Sequence, residues 1–245
     1  MDPQFSLSSR GHLVGRVAGL WRYPVKAMRG EQLDEAAVGW NGLAGDRRYA
    51  FVQDGQERNG FPWLTIRERP DLVLYRPSLA EPDLPNVSPV TVCAPAGDLL
   101  DVADPALAAK LGQGVRVMKL DRGAFDTMPL SLTSTQTLAG LGALLGQVPD
   151  VRRFRPNLLV EAAAASAFPE DGWVGSVLRI GGTRIRLDAR DRRCAVITVD
   201  PATAARDPKV LQVVARVRDG YLGVYGSTVE PGHIAVGDPV IVEPC

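Results

Sequence analysis

Cys194 follows directly on two arginines, Arg192 and Arg193. Adjacent cations lower a thiol pKa and favour the thiolate. A thiolate is either a nucleophile or a soft ligand for a transition metal. The plain alternative is a small side chain entering a strand and packing into the core. Cys93 lies inside an apolar run with no flanking cation, so it is assigned to core packing, and Cys245 is terminal. Three cysteines so far apart imply neither a zinc pattern nor a disulfide framework.

Five other segments combine cations, hydroxyls and turn residues. They are Tyr23-Pro24-Val25-Lys26, Asp46-Arg47-Arg48, Thr65-Ile66-Arg67-Glu68-Arg69-Pro70, Leu132-Thr133-Ser134-Thr135, and Arg152-Arg153-Phe154-Arg155-Pro156-Asn157. Each by itself reads as solvated surface. As a set they offer guanidinium forks, plus hydroxyls at a presumed helix start, which is what a phosphate needs. Converging with a sixth segment, Asp191-Arg192-Arg193-Cys194, they would make a pocket for an anionic, phosphate-bearing cofactor. Asp46, Asp126, Asp188 and Asp200 are available as acids or bases, or as turn caps and arginine partners. Only two histidines occur, His12 and His233, the latter read as lying in a turn, and no Gly-x-Ser-x-Gly elbow is present. Phosphate-loop and dinucleotide glycine fingerprints are also missing.

The elements that must position these residues are mostly strands. Alternating or apolar runs predict strands near residues 13–21, 48–53, 72–75, 90–94, 157–160, 177–180, 183–187, 195–199, 223–225 and 239–242. The proline-rich stretch 77–89 reads as loop. Asp104-Pro105 predicts the start of a short helix over 106–112, and Ser134 can cap a helix from Thr135. Helical periodicity returns over 207–218. The stretch 121–129 lacks periodicity and reads as a connection, placing a soft boundary near 120–126. The coarse reading is a strand-dominated α+β protein.

With 245 residues, 28 basic and 28 acidic side chains balanced to zero, and 45% hydrophobic content, the chain suits one large domain or two modest ones. A chain of this size buries about 70% of its unfolded surface, enough for a core without staples. Zero net charge argues against nucleic acid as a partner. No apolar run is long enough to span a bilayer. The start at Met1 has no secretory character and reads as an appended leader, so the expected compartment is the cytoplasm.

In order along the chain, several motifs resemble the MOSC family, the molybdenum-cofactor sulfurase C-terminal-like proteins. They are Tyr23-Pro24-Val25-Lys26, Gly45-Asp46-Arg47, Thr65-Ile66-Arg67, Phe154-Arg155-Pro156-Asn157, Arg193-Cys194 with Val199-Asp200-Pro201, Gly223-Val224-Tyr225 and Gly232-His233-Ile234-Ala235-Val236-Gly237-Asp238. The pattern is similar to that of the family's amidoxime-reducing members, mitochondrial and bacterial. The resemblance implies a β-barrel-like MOSC core over residues 126–245 and a β-rich N-terminal MOSC domain over 11–125. It implies a molybdenum cofactor (Mo-molybdopterin) with Cys194 as metal ligand and catalytic centre. Lys26, Arg47, Arg67 and Arg155 match positions that hold the pterin and its phosphate. Thr133, Ser134 and Thr135 align with the segment expected to cradle that phosphate, with Asn157, Arg192 and Arg193 lining the same site.

The reaction so implied is two-electron reduction of N-hydroxylated (N-oxygenated) small molecules by oxygen atom transfer, with the cofactor carrying the hard chemistry. Three cysteines cannot hold a Cys₄ cluster, so electrons would come from a separate donor protein. No membrane anchor is expected. Ala27 stands where serine is common in the family, so one cofactor hydrogen bond is missing or replaced. The alternative function is a cofactor or sulfur carrier, with a persulfide on Cys194 and no turnover of its own. Divergent chemistry on the same fold is a third reading.

Overall fold

The computed structural model describes residues 11–55 and 61–244. The expected leader and Cys245 lie outside the described residues. In chain order the strands are β1 (His12–Arg22), β2 (Glu31–Leu33), β3 (Glu35–Gly39), β4 (Gly42–Leu43), β5 (Tyr49–Gln53), β6 (Arg76–Leu79), β7 (Val90–Cys93), β8 (Leu99–Asp101), β9 (Val115–Lys119), β10 (Leu130–Ser134), β11 (Leu158–Ala162), β12 (Val177–Ile180), β13 (Thr183–Arg192), β14 (Tyr221–Glu230), β15 (Gly232–Ala235) and β16 (Pro239–Val242). The helices are α1 (Pro105–Leu111), α2 (Thr135–Leu145) and α3 (Pro208–Arg218).

The main sheet runs β11-β10-β14-β13-β12-β16-β1-β2, and β1 also pairs with β11. That second pairing closes seven strands into a barrel, which removes the exposed edges that would otherwise template aggregation. β1 makes the closure possible because it is long and twice bulged, between Leu13 and Gly15 against β16 and between Val17 and Gly19 against β11. Bulges bend and twist a strand sharply enough to serve two partners. Gly15 allows the approach: a Cβ there would lie 2.3 Å from the carbonyl oxygen of Glu161. The first strand thus sits inside a barrel built otherwise from residues beyond 129, while β3 reaches across to pair with β15.

Apolar side chains gather in three buried groups. Val17, Leu20, Leu132, Leu158, Leu178, Ile185 and Val224 belong to the barrel core. Val25, Met28, Phe51, Leu72, Val92 and Leu107 form the core of the N-terminal half, which also takes in Val199 from the far end of the chain. Leu138, Leu141, Phe154, Ile197, Val210, Val214 and Leu222 pack α2 and α3 onto the barrel. Among the described residues, no helix is long and apolar enough to cross a membrane.

The two expected caps, Asp104 and Ser134, form, and Asp207 caps the third helix in the same way. The side chains of Asp104, Ser134 and Asp207 accept hydrogen bonds from the first-turn amides of α1, α2 and α3. Four local expectations are corrected. Residues 72–75 are no strand: Pro70–Leu74 is a 3₁₀ turn opened by its proline, whose fixed φ suits a first helical position. Residues 195–199 are no strand either, since Ala195–Thr198 is a 3₁₀ turn in which Ile197 N donates to the Cys194 carbonyl at 3.2 Å. The stretch 77–89 opens as strand, because β6 lies at a sheet edge where Pro77 costs no ladder hydrogen bond. His233, expected in a turn, is an exposed residue of β15.

Candidate functional site

A cavity of 230 Å³ is lined by members of two of these cores, Ala27 and Ile66 from the N-terminal one and Phe154 and Ile197 from the one beneath α2 and α3. It collects strand ends and turns from both halves of the chain. Lys26 and Ala27 follow β1, Arg47 precedes β5, and Thr65–Arg67 form a turn after it. Residues 125–128 come from the aperiodic connection, and residues 153–157 from the turn entering β11. Asp191, Arg192, Arg193 and Cys194 end β13, and Tyr225 projects from β14.

The backbone here is held in costly conformations. Among the described residues, six non-glycine positions have positive φ, and three of them line the cavity: Ala27 at 70°, Arg47 at 49° and Arg155 at 52°. Each such residue costs on the order of 1 kcal/mol or more and persists where its surroundings enforce it. The enforcement is visible. Lys26 N donates to the Tyr49 carbonyl at 2.8 Å, Arg47 N to that of Tyr23 at 2.6 Å, and the Arg47 Nη2 to that of Arg155 at 3.1 Å. Asn157 is the rivet between strands: its Nδ2 donates to Trp21 O at 3.2 Å, and its Oδ1 accepts from Ser131 N at 3.2 Å.

Among the described residues, seven cations line the cavity, and four have carboxylate partners. Lys26 donates to Asp126 and to the Ala124 carbonyl at 2.9 Å. Arg47 pairs with the buried Asp46, Arg153 with Asp200 at 2.7 Å, and Arg193 with the buried Asp191 at 2.8 Å. Burial pushes the Lys26 ammonium down, against the opposing pull of Asp126. Burial likewise pushes the Asp191 carboxyl up, although Arg193, Tyr225 and Ser131 favour its charged form. Asp46, Asp126 and Asp200 are thus arginine or lysine partners, as is Asp188, which pairs with Arg186 at 2.5 Å outside the cavity.

Arg67, Arg155 and Arg192 have no carboxylate partner among the described residues. Arg155 is half-buried, its Nη2 shielded from solvent and without a hydrogen-bond partner. Its guanidinium lies 4.2 Å from the centre of the Tyr23 ring, which Arg47 approaches from 4.7 Å. Burial pushes Arg155 down to about 10. Arg193 Nη2 is likewise shielded and unpartnered, while its Nε and Nη1 hold the carbonyls of Leu222 at 2.7 Å and Phe154 at 2.9 Å. Cys194 is exposed and has extended backbone at the head of the 3₁₀ turn.

Of the residues singled out in the sequence, Lys26, Arg47, Arg67, Arg155, Asn157, Arg192, Arg193 and Cys194 all line this one cavity. Thr133, Ser134 and Thr135 do not. Thr133 and Ser134 are fully buried and turned onto Glu170, whose carboxylate accepts from Thr133 Oγ1 at 3.2 Å, Ser134 Oγ at 2.7 Å and Thr137 Oγ1 at 2.7 Å. The first turn of α2, where an anion was expected, therefore faces the protein's own carboxylate. Cys93 is half-buried, not core, and Arg76 Nη2 approaches its sulfur at 3.1 Å across the β6–β7 pairing. Thr65 and Asp191 belong to the cationic segments expected to converge, and both line the cavity, as does Asp126, singled out as a candidate acid or base. Sequence reading missed Phe125, Thr127 and Met128, which lie in an aperiodic stretch, and gave no site role to Tyr225, although its Gly223-Val224-Tyr225 motif was among those that carry the family resemblance. Among the described residues, no three His, Cys, Asp or Glu side chains converge as a metal site.

Residues 119–241 match the MOSC domain family and residues 14–129 the MOSC N-terminal beta barrel domain. The chain is 26% identical over 295 residues to mitochondrial amidoxime reducing component 2 of Bos taurus, spanning 93% of this chain and 83% of that protein. It is 27% identical over 285 residues to mitochondrial amidoxime-reducing component 1 of Homo sapiens, spanning 93% and 82%. Its fold is similar to that of the YUAD protein from Bacillus subtilis, with a TM-score of 0.52 and 14% identity over 95% of this chain and 97% of the other. A seven-stranded barrel with its partner domain, matched end to end by both domain families, makes the chain a member of the MOSC family.

Proposed function

We propose that this protein binds a molybdenum cofactor (Mo-molybdopterin) through the cavity and reduces N-hydroxylated small molecules. The observation that carries this reading is Arg155, a shielded guanidinium with no carboxylate, lining a cavity that also presents the Cys194 thiol. An unpartnered buried polar group costs about 1–3 kcal/mol, more when charged, so it persists where a ligand will pair with it. The orphaned Nη2 of Arg193 makes the same demand from the opposite strand.

The residues present fit the group. Lys26, Arg47, Arg155 and Arg193 supply charge-assisted donors for a phosphate and a polar heterocycle, with Asn157 fixing the strands that carry them. Cys194 would be the sole protein ligand to the metal, so the remaining ligands must come from the cofactor itself. When bound, the cofactor supplies the two-electron redox couple. Overall, an N-hydroxy compound with two electrons and two protons gives the N-reduced compound and water. The electrons would come from a separate donor protein. The curated relatives named for amidoxime reduction support the reaction class.

Protein made in a host that synthesises the cofactor should carry stoichiometric molybdenum and reduce benzamidoxime with an artificial electron donor. Cys194→Ser should lose both. Metal-free protein with a labile sulfur on Cys194 would overturn the reductase reading in favour of a carrier, and full metal in Cys194→Ala would overturn the ligand assignment.

A further inference from the structure

We propose that Arg67 and Arg192 form a subsite at the cavity rim for an anionic group on the substrate, so that the compound reduced carries a carboxylate or phosphate besides its N-hydroxyl. The inference rests on the reductase reading above. Both side chains are exposed, both line the cavity, and neither has a carboxylate partner among the described residues. Exposed arginines are ordinarily solvated and neutralised by nearby acids. What distinguishes these two is where their neighbouring acids point. Glu68, next to Arg67, is drawn onto the Thr65 amide at 3.0 Å and the Thr65 hydroxyl at 2.5 Å. Asp191, next to Arg192, is buried against Arg193 and the Ser131 hydroxyl at 3.2 Å. Asp126, the carboxylate that shares the rim, is spent on Lys26. Two positive charges are thereby left uncompensated at the mouth of a site in a protein of zero net charge.

The backbone under them is fixed. Arg67 N donates to Thr65 Oγ1 at 3.2 Å, and the Arg67 carbonyl accepts from Arg206 Nη2 at 2.8 Å. Its guanidinium lies 5.3 Å from the Phe61 ring, a flat surface that limits its swing. Arg192 ends β13 in register with Tyr221. Cations so held bind carboxylate or phosphate oxygens in forked geometry and steer anions inward from solution. The more shielded donors, Lys26, Arg47, Arg155 and Arg193, are left to hold the cofactor, and Arg67 and Arg192, which the family resemblance also gives to the cofactor, are assigned here to the substrate.

The test compares equilibrium binding of benzamidoxime, para-carboxybenzamidoxime and a phosphate-bearing benzamidoxime to the protein as isolated, with molybdenum content measured on each sample. The wild type should bind one or both charged probes about tenfold more tightly than the neutral one at low salt, the size expected of two exposed charge-assisted contacts. That preference should shrink at high salt. In the double variant Arg67→Gln with Arg192→Gln the ratio of charged-probe to neutral-probe affinity should fall to about one, whatever the molybdenum content of the sample. Wild-type protein without a charge preference, or a double variant that keeps it, would each overturn the subsite. Metal-free protein that keeps the charge preference would instead sink the reductase reading and leave the rim subsite standing.

Discussion

Replacing Arg155 with methionine should make the cofactor-free protein more stable while abolishing its capacity to retain the cofactor. Burial brings this guanidinium down from 12.5 to about 10. At about 1.4 kcal/mol per tenfold change in proton affinity, that gap is a penalty of roughly 3 kcal/mol. The residue is only half-buried, and water at its open edge trims the figure to about 2 kcal/mol. Loss of the Tyr23 ring contact returns about 0.5–1 kcal/mol. The left-handed backbone strain is common to both side chains and cancels. A net gain of about 1–1.5 kcal/mol should raise Tm by about 2–6 °C in a chain of this size. The sign with pH follows from the direction of the shift. A cation with depressed pKa is penalised fully below its folded value and relieved only as pH rises past it, so the gain should be flat from pH 6 to 8. Calorimetry of wild type and variant, both metal-free, reads this directly. A drop in Tm of several degrees would refute the reasoning, because it would mean that the contacts of Arg155 outweigh its desolvation and that no ligand is needed to complete it.

Cys194→Ala should leave Tm within about 1 °C, since the side chain is exposed and makes no hydrogen bond, while metal analysis reports its loss; Cys93→Ala should cost only about 1 kcal/mol. Glu170→Gln should destabilise by about 2 kcal/mol in denaturant titration, because an acceptor serving Thr133, Ser134 and Thr137 becomes half donor. Asp150 lies low: burial raises its carboxyl, and the Arg152 side chain and backbone amide more than offset that. Its contribution is present above the ordinary carboxylate value of about 3.9 and lost as pH falls through its lower folded value. Asp150→Asn should therefore flatten the acid limb of the stability profile in that window.

Much of the strand pattern was legible because one-sided burial writes itself as alternation, and two helix starts because Asp104 and Ser134 are chemically suited to cap. The failures have a common cause. Val196, Ile197 and Val199 have strand propensity, yet the chain must turn at Cys194 to carry Ile197 into the core beneath α3, so packing overrides propensity. Leu72 and Val73 are drawn likewise into the N-terminal core by a 3₁₀ turn.

For the site, residue type and order along the chain identified the cations and the thiol that share the cavity. They could not say which cations were already neutralised, because pairing depends on side chains far apart in sequence: Lys26 with Asp126, Arg153 with Asp200. Nor could they say that Ser134, so well suited to a phosphate, would be turned onto Glu170, thirty-six residues away. Chemistry capable of holding an anion was written locally. Which donors stay unpaired, and so keep that capacity, was decided by closure of the barrel, where burial makes each unmatched charge costly enough to select its partner.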